Sequence, residues 1–453
     1  MEKNTVIRLS ITGLTNEGSG VGRADEMGGM AVFVPLTAPG DVAQVKILKV
    51  MGGYAYGRVE QLLTPSTQRV ENDCPVFARC GGCALRHINY PAELQAKQNW
   101  VAENLARIGK AYPQWEPITP SPKVLRYRNK AQYPVRMVEG KPRAGFFAPR
   151  SHTLIPVEDC LLQPAFFADI CREVLDFCQE RAVPPYDEAT HSGLLRQICI
   201  RHGEVTGQTL ICLVINGKAL PWASELTPRL ESLCPGPVSF HVNRNRERTN
   251  VILGRHTRHI SGPPIIEDEL AGVRVRLSPQ SFYQVNRQAA QLLYATALEY
   301  AAPSPDDILL DLYCGAGAIG LSMAGHVGQV IGVESLPQAV EDAKANALLN
   351  GVTNARFICA GAAKAATQLR EQGLRPTIAV VDPPRKGLES ETIEQLAAMA
   401  PAKIIYLSCN SATLARDCAA LAQKGYRAVK GKAVDLFPRT AHVECALLLE
   451  PVK

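Results

Sequence analysis

The feature that most constrains the fold is a regular alternation of apolar runs with helical segments in the last third of the 453-residue chain. Four short runs, at 308–312, 330–333, 377–381 and 404–407, are separated by stretches long enough to form helices. Strands that alternate with helices in this way form a parallel sheet with helices on both faces. We therefore expect residues 276–453 to form a doubly wound α/β domain whose ligand site lies at the carboxyl edge of the strands.

A glycine-rich loop follows the first of these runs. Gly315, Gly317 and Gly320 fit the pattern G-x-G-x-x-G, and Glu334 ends the next run. Such glycines let a cofactor approach the backbone, and an acid at the end of the second strand can bind ribose hydroxyls. The loop therefore predicts a nucleotide-containing cofactor, although the pattern alone also fits a dehydrogenase.

Two carboxylates favour S-adenosylmethionine as that cofactor. Asp311 lies within the first strand, four residues before the first glycine, where its charge can face a cationic amino group. Asp382 follows the run at 377–381, at the sheet edge where ligands bind in such folds. A simple strand-ending turn is the alternative interpretation of Asp382.

Cys409 and Glu444 are the candidate catalytic pair. Cys409 follows the run at 404–407 and Glu444 precedes the apolar run at 445–449, so both can reach the same sheet edge. Carbon 5 of uracil becomes nucleophilic when a thiolate adds to carbon 6, and a base must later remove its proton. A buried, inert cysteine and an amino-directed methyltransferase, which needs no thiol, are the alternatives. His442 is either a second proton carrier or a structural histidine.

The first two-thirds of the chain contain several features typical of RNA binding. Short β-rich runs between glycine turns predict a small OB-like barrel over residues 1–66. Residues 67–275 are expected to form a mixed α and β domain that includes an amphipathic helix over 92–107. Basic and aromatic side chains are interleaved in residues 123–150, and a second basic cluster comprises Arg244, Arg246, Arg248, Arg255 and Arg258. Guanidinium groups bind phosphates and aromatic rings stack on unpaired bases, although a solvated charged face gives the same pattern.

Composition indicates a cytoplasmic protein with reduced cysteines. The chain has no uninterrupted apolar run of about 18 residues, and its first residues lack the apolar core of a secretion signal. Its 14 cysteines are therefore not expected to form structural disulfides. Seven of them lie singly in apolar stretches and are expected to be small buried side chains: Cys171, Cys178, Cys199, Cys212, Cys234, Cys359 and Cys418.

Four other cysteines have the spacing of metal ligands. Cys74, Cys80 and Cys83 lie close together in the sequence, and Cys160 follows later. Thiolates in such a set bind zinc or an iron–sulfur cluster, and the spacing alone favours zinc slightly. The set does not match the three-cysteine signature of radical S-adenosylmethionine enzymes, because a fourth ligand fills the open iron site that they need.

Five motifs, in the same order, resemble those of the RNA uracil-C5-methyltransferase family. The resemblance implies a Rossmann-like domain in which Cys409 is the nucleophile and Glu444 is the base that removes the proton. It also implies that S-adenosylmethionine contacts Gln284, Tyr313, Glu334 and Asp382. Ala318 stands where relatives often carry a polar residue, so it is not counted as a contact. The motifs are SFYQVN at 281–286, DLYCGAG at 311–317, DPPRKG at 382–387, SCN at 408–410 and FPRTAHVE at 437–444.

The cysteine set is similar to that of the ribosomal-RNA branch of this family. Members of that branch carry a [4Fe–4S] cluster beside an N-terminal TRAM barrel. The resemblance thus implies a cluster held by Cys74, Cys80, Cys83 and Cys160, a TRAM barrel at 1–66, and a central iron–sulfur and RNA-binding domain at 67–275.

Taken together, the motifs predict an S-adenosylmethionine-dependent enzyme that makes 5-methyluridine in 23S rRNA. The target uridine must leave its stack to reach Cys409, so we expect it in an unpaired loop. No protein partner and no membrane association are expected. One alternative is an RNA cytosine-C5 methyltransferase, whose nucleophile usually follows a proline, whereas Cys409 follows Ser408. The others are a tRNA uracil-C5 enzyme, whose branch typically lacks the barrel and the cysteine set, and a non-catalytic RNA-binding assembly factor.

Overall fold

The computed structural model describes residues 3–25 and 28–452. Within these residues the chain forms sheets of six, seven and eight strands and one separate two-stranded hairpin. No helix in this part of the chain is long and apolar enough to cross a bilayer.

The N-terminal sheet encloses an apolar core of its own. Alternate residues of its strands face inward, so that Leu9, Val32, Val45 and Ile47 are fully buried. The strand order is β1-β5-β6-β4-β3-β2, and the predicted β-rich character of this segment is confirmed. The strands are β1 (Val6–Ser10), β2 (Gly13–Leu14), β3 (Gly20–Ala24), β4 (Met30–Val34), β5 (Val42–Val50) and β6 (Tyr54–Thr64).

The central segment folds around a seven-stranded sheet of order β10-β9-β8-β11-β12-β13-β14. Two helices, α3 and α4, cover one face, while side chains such as Cys212 and Val214 on the other face join the core of the C-terminal part. Within this sheet β11 and β12 form an antiparallel pair. In chain order the elements are α1 (Phe77–Cys80), α2 (Tyr90–Asn104), a π-helical turn (Leu105–Gly109), β7 (Gln114–Trp115), β8 (Lys130–Val138), β9 (Lys141–Phe147), β10 (Leu154–Pro156), α3 (Phe166–Glu180), β11 (Leu195–His202), β12 (Thr209–Ile215), α4 (Ala223–Glu231), β13 (Val238–Arg244) and β14 (His256–Ser261).

The C-terminal part is the predicted doubly wound sheet, with strand order β19-β18-β17-β20-β21-β23-β22-β7. Strands β17 to β21 are parallel and β23 runs antiparallel to β21. The elements are β15 (Ile266–Leu270), β16 (Val273–Leu277), α5 (Arg287–Ala301), β17 (Ile308–Leu312), α6 (Ala318–Met323), a 3₁₀ turn (Ala324–His326), β18 (Gln329–Glu334), α7 (Pro337–Leu349), β19 (Ala355–Cys359), α8 (Ala362–Glu371), β20 (Ile378–Val381), α9 (Ser390–Met399), β21 (Lys403–Ser408), α10 (Ser411–Gln423), β22 (Tyr426–Val434) and β23 (Glu444–Pro451).

Two of the seven cysteines predicted to be buried are not. Cys359 is exposed because it ends β19, the edge strand of the eight-stranded sheet, and Cys234 is only half-buried after α4. The other five are buried, as expected: Cys171, Cys178, Cys199, Cys212 and Cys418.

Helix α2 differs from the amphipathic helix predicted over 92–107. It begins at Tyr90, where the Asn89 side chain accepts a hydrogen bond from the backbone and caps the first turn. Leu94 is half-buried, whereas Glu93 and Lys97 are fully buried. The predicted helix is therefore present, but its buried side includes two charged residues one turn apart.

The buried Lys97 ammonium joins α2 to the chain between β22 and β23. It donates hydrogen bonds of 2.7 Å to Glu93 Oε1 and to Asp435 Oδ1. A third bond, of 3.1 Å, reaches the Phe437 carbonyl oxygen. All three ammonium hydrogens therefore have acceptors, and two carboxylates share one buried cation. We refer to the connection that begins at Asp435 and ends before Glu444 as the 435–443 segment.

Further polar contacts hold the same segment against α2. The Tyr90 hydroxyl donates to Asp435 Oδ2 at 2.9 Å, and the Arg439 backbone N–H donates to Glu93 Oε1 at 2.7 Å. Arg439 has φ = 69°, in the left-handed region that non-glycine residues seldom adopt. Tertiary hydrogen bonds thus fix a backbone conformation that local preference disfavours.

Replacing Lys97 with methionine is expected to destabilise the protein strongly. Methionine fills a similar volume but leaves the carboxylates of Glu93 and Asp435 without the buried cation between them. Losing one partner of a buried ionic network costs about 3–5 kcal/mol. The change in unfolding free energy is measured from urea unfolding followed by circular dichroism. Lys364→Met, at an exposed position of α8, serves as the matched control. Equal unfolding midpoints for the two variants would contradict the role assigned to Lys97.

Candidate active site

The glycine loop forms the floor of a site at the carboxyl edge of the parallel strands. The chain leaves β17, turns through Tyr313 to Gly317 and enters α6. Gly315 and Gly317 have φ of 55° and 84°, and Tyr313 has φ of 66°. A side chain at Gly317 would press against Ala343, so a glycine is needed for the turn as well as for the close packing beneath it.

A cavity above this loop contains three of the four predicted cofactor contacts: Gln284, Tyr313 and Asp382. Ala318, which was not counted as a contact, also lines it. Glu334 does not line the cavity; its carboxylate accepts hydrogen bonds from the backbone N–H groups of Gly315, at 3.2 Å, and Leu336, at 2.8 Å. The remaining lining residues are Leu270, Val275, Leu277, Phe282, Tyr283, Tyr294, Cys314, Gly315, Ala316 and Ile319.

Asp311 provides the test of whether these residues fit S-adenosylmethionine. Its Oδ2 accepts a hydrogen bond of 2.9 Å from the Gly320 backbone N–H. Its Oδ1 is buried and has no hydrogen-bond partner within the described residues. Burial raises the pKa of this carboxyl to about 7. A buried carboxylate oxygen without a donor is costly, and a cationic group such as the amino group of a methionine moiety satisfies it.

Cys409 and Glu444 lie at neighbouring positions of the same sheet edge. Ser408, the last residue of β21, pairs with Cys445 of the antiparallel strand β23. One step further along this register brings the residue after β21, Cys409, opposite the first residue of β23, Glu444. The predicted meeting of these two side chains at one edge agrees with the observed strand pairing. Cys409 is half-buried and Glu444 is buried.

The site has an excess of acidic groups in a buried setting. Burial and, after it, the nearby negative charge of Asp382 raise the pKa of Glu444 to about 8. Burial alone raises the pKa of Asp382 to about 7. The pKa of the Cys409 thiol is also raised, by burial first and then by Glu444. Without a bound ligand, neutral forms are therefore favoured at this edge.

Arg385 is a site residue that lies within the 382–387 motif, although the sequence predicted no role for it. Its positive charge opposes the rise in pKa of both Cys409 and Glu444. One of its guanidinium nitrogens lies 3.4 Å from His442 Nε2, and its backbone carbonyl accepts a hydrogen bond from the Asn410 side chain at 3.2 Å. In the sequence, Arg385 could have been recognised as a site residue from its position directly after Asp382-Pro383-Pro384.

His442 is neutral at physiological pH. Desolvation of the ring, together with the positive charges of Arg385 and Arg128, lowers its pKa to about 4. A neutral imidazole beside a guanidinium fits a hydrogen-bond acceptor better than a proton carrier. The His442 side chain is exposed and contacts Arg385, so the structure does not bury it as a structural histidine.

The four cysteines with metal-ligand spacing lie near one another, each half-buried. Burial raises the pKa of the Cys80, Cys83 and Cys160 thiols, and neighbouring thiols of the set raise each of them further. Within residues 3–25 and 28–452, however, no three histidine, cysteine or acidic side chains are arranged to hold a metal ion. The thiols are neighbours, but they do not form the ready single-ion site that the spacing favoured.

The cysteine segment contacts the 435–443 segment directly. The backbone N–H groups of Ala84 and Leu85 donate to the Arg439 carbonyl oxygen at 2.9 and 3.0 Å. Arg86 lies beside the Cys83 thiol and forms an ion pair with Asp73. The residues that follow Cys83 thus support the connection that leads to Glu444.

The parallel sheet, the glycine loop and the cavity with Asp382 at its carboxyl edge are the architecture of an S-adenosylmethionine-dependent methyltransferase. Comparison with known proteins identifies the family. The sequence profile described as tRNA (Uracil-5-)-methyltransferase matches residues 266–452, and the TRAM domain profile matches residues 2–59.

Similar proteins match this chain over nearly its whole length. Uncharacterized RNA methyltransferases from Halalkalibacterium halodurans and Listeria innocua are each 39% identical to it, over 99% of this chain and 98% of their own. The crystal structure of Pyrococcus abyssi tRNA (uracil-54, C5)-methyltransferase in complex with S-adenosyl-L-homocysteine matches with a TM-score of 0.77 and 25% identity, over 98% of this chain and 100% of that chain. The chain belongs to the RNA uracil-5-methyltransferase family and carries an N-terminal TRAM domain.

Replacing Glu444 with glutamine is expected to stabilise the ligand-free protein relative to wild type, by an amount that grows as the pH rises. The unfolded chain loses the Glu444 proton near pH 4.5, whereas the folded protein retains it up to about pH 8. Wild-type stability therefore falls as pH rises through this window, and glutamine, which cannot ionise, escapes that fall. Melting temperatures of both proteins are compared between about pH 5 and about pH 9.

Glu391→Gln, at an exposed position in the first turn of α9, is the matched control. A melting-temperature difference between wild type and Glu444→Gln that does not grow with pH would show that this carboxyl is not held neutral by burial.

Proposed function

We propose that the protein methylates carbon 5 of a uridine in RNA through a covalent adduct with Cys409. The observation that carries the proposal is that Cys409 and Glu444 directly adjoin the paired residues Ser408 and Cys445, at the edge where Asp382 lines the cavity. A thiol and a base at one point beside a methyl donor are the groups that this reaction requires.

In the proposed reaction the Cys409 thiolate adds to carbon 6 of uracil, and carbon 5 becomes an enolate carbon. Carbon 5 would then take the methyl group as its bond to the positively charged sulfur of S-adenosylmethionine breaks, which leaves the neutral thioether S-adenosylhomocysteine. Glu444 accepts the proton from carbon 5, the bond between Cys409 and carbon 6 breaks, and the double bond of 5-methyluracil forms. Gln284, Tyr313, Asp382 and Glu334 are proposed to hold the cofactor, with Asp311 facing its amino group.

Charge supports these roles. Neutral Glu444 is a poor base, but a cation near Asp382 and Glu444 favours the ionised form of both. Arg385 already acts in this direction on Glu444 and on the Cys409 thiol. A cationic cofactor would therefore favour the ionised form of Glu444, which is the form that can accept a proton.

We further propose 23S rRNA as the substrate, with the target uridine in an unpaired loop. This choice is supported by the resemblance of the cysteine set, together with the TRAM domain, to the ribosomal-RNA branch. tRNA is a second candidate, because the Pyrococcus abyssi tRNA enzyme aligns with 98% of this chain. That coverage includes the N-terminal sheet, so possession of a barrel does not separate the two substrates.

The four cysteines Cys74, Cys80, Cys83 and Cys160 are proposed to hold a [4Fe–4S] cluster that has a structural role. Four cysteine thiolates are the ligand set that a [4Fe–4S] cluster requires. Half-buried neighbouring thiols beside the cationic Arg86 suit such an anionic group. The cluster would brace the turn that supports Arg439.

Methyl transfer to uridine is expected to depend on Cys409. Unmodified ribosomal RNA and unmodified tRNA are incubated separately with the protein and methyl-labelled S-adenosylmethionine, then digested to nucleosides for mass spectrometry. If labelled 5-methyluridine is found only in the ribosomal RNA sample, the proposed substrate is supported. If it is found only in the tRNA sample, the second candidate is supported. Labelled 5-methylcytidine, or no label from folded protein, would overturn the proposed reaction.

Two variants serve as controls for this assay. Cys409→Ala is expected to give no labelled nucleoside and no covalent RNA complex, because the bond to carbon 6 cannot form. Glu444→Gln is expected to accumulate a covalent protein–RNA complex on a denaturing gel, because carbon 5 keeps its proton and the thiol cannot leave.

Cys80→Ser is expected to remove the broad visible absorbance of an iron–sulfur cluster from protein purified without oxygen. Cys234→Ser, at a half-buried cysteine outside the set, is the control that keeps the spectrum. If the wild-type protein contains one zinc per chain and has no visible absorbance, the single-ion alternative is favoured. If Cys80→Ser keeps both its metal and its absorbance, this ligand set is excluded.

A further inference from the structure

An open cleft of about 470 Å³ lies on the central sheet, on the face that packs against α3 and α4 rather than on the face that joins the methyltransferase core. It runs between the start of α4 and the edge strand β14. Its volume suits a nucleotide-sized ligand. It belongs neither to the cofactor cavity nor to the proposed catalytic pair.

The polar lining of the cleft is basic. Lys218, Arg244 and Arg258 contribute to it, together with His256, and all four side chains are exposed. None of the three cations forms an ion pair within the described residues, and no acidic residue lines the cleft. On helix α4, Arg229 pairs with Glu180, whereas no carboxylate lines the cleft beside its three cations.

Trp222 adds an aromatic platform to this basic surface. Its side chain is 45% exposed and lines the cleft at the N-terminus of α4. The residue has φ = 57°, a conformation that a bulky side chain rarely adopts. The Arg181 guanidinium lies 5.7 Å from the ring centroid and is held there by Glu225. The indole is thus kept at the surface in a strained backbone conformation, which points to a ligand.

From these observations we infer that the cleft is a second RNA-binding site, which takes an unpaired stretch of the substrate outside the catalytic pocket. Trp222 stacks on a base, and Lys218, Arg244 and Arg258 contact the phosphates on either side. The inference deepens the proposed function and rests on it only in taking RNA as the substrate. Unpaired rather than duplex RNA is specified because a stacking platform needs an accessible base face.

The cleft is connected to the cofactor cavity through the loop that joins β13 to β14. This loop carries Arg246, Arg248 and Arg255 at its surface. Its Gly254 carbonyl accepts a hydrogen bond of 3.3 Å from the Gln280 side chain, two residues before Phe282 of the cavity lining. A strand bound in the cleft therefore has a basic path toward the site that holds the cofactor.

The test measures binding of a short fluorescein-labelled oligouridylate by anisotropy, using the full-length protein. Trp222→Ala is expected to weaken binding about tenfold, which corresponds to the loss of one stacked base. Trp222→Phe, which keeps a stacking face, is expected to restore most of the affinity and also shows that the helix start tolerates replacement. Circular dichroism confirms that the variants fold.

The salt dependence of binding tests the phosphate contacts separately. Arg244→Ala combined with Arg258→Ala is expected to reduce the slope of log K against log salt by about 1.4, because each phosphate contact on single-stranded RNA contributes about 0.7. The control is Arg375→Ala combined with Arg427→Ala. It removes two exposed arginines near the amino ends of strands β20 and β22, and it is expected to leave the slope unchanged.

The outcomes separate this inference from the proposed function. Unchanged affinity and slope in the cleft variants would overturn the second site even if uridine methylation is found. Equal competition by duplex RNA would overturn the stacking arrangement. Cleft-dependent binding of the oligouridylate in a protein that methylates no uridine would retain the second site and reject the proposed reaction.

Discussion

The structure depends on a lysine that has no access to water. Lys97 has two carboxylate partners and a backbone carbonyl, and these come from both ends of the chain. Buried charges are tolerated only when their partners are correctly placed, so the ammonium fixes the position of α2 relative to the 435–443 segment. This segment lacks regular structure, yet it must deliver Glu444 to the edge opposite Cys409. Much of the precision of the proposed catalytic pair therefore originates in a helix outside the methyltransferase sheet.

The electrostatics of the site, like its cavity, fit a cationic cofactor. Asp311 and Glu444 are buried and Asp382 is half-buried, and Arg385 supplies positive charge that acts on Glu444 and Cys409. Burial raises the pKa of these three carboxyls to between about 7 and about 8, so a cationic ligand would favour their ionised forms. Binding of a sulfonium compound would then also ionise Glu444, the proposed base.

Local patterns predicted five strands of the C-terminal sheet, β17, β18, β20, β21 and β23, because each is an apolar run. They did not predict β7, which has two residues, or β19 and β22, which carry charged residues. The glycine loop and the positions of Cys409 and Glu444 followed from the same strand ends. The roles of Glu93 and Lys97 did not, because a Glu and a Lys one turn apart look like a solvated pair, and Asp435 lies 338 residues from Lys97 in sequence. Cys359 was misjudged for a similar reason: an apolar neighbourhood does not reveal that its strand lies at the edge of a sheet.

The backbone bonds from Ala84 and Leu85 to Arg439 have a consequence for synthesis on the ribosome. The N-terminal sheet has its own core and can fold early, but Lys97 cannot acquire its second carboxylate partner until Asp435, 338 residues later, has been made. A chain that stops before Asp435 therefore has the Lys97–Glu93 pair on α2 without the second carboxylate and the Phe437 carbonyl oxygen that complete its hydrogen bonds. Synthesis of the 435–443 segment thus acts as a checkpoint, because α2 has no place to bury this ammonium without it.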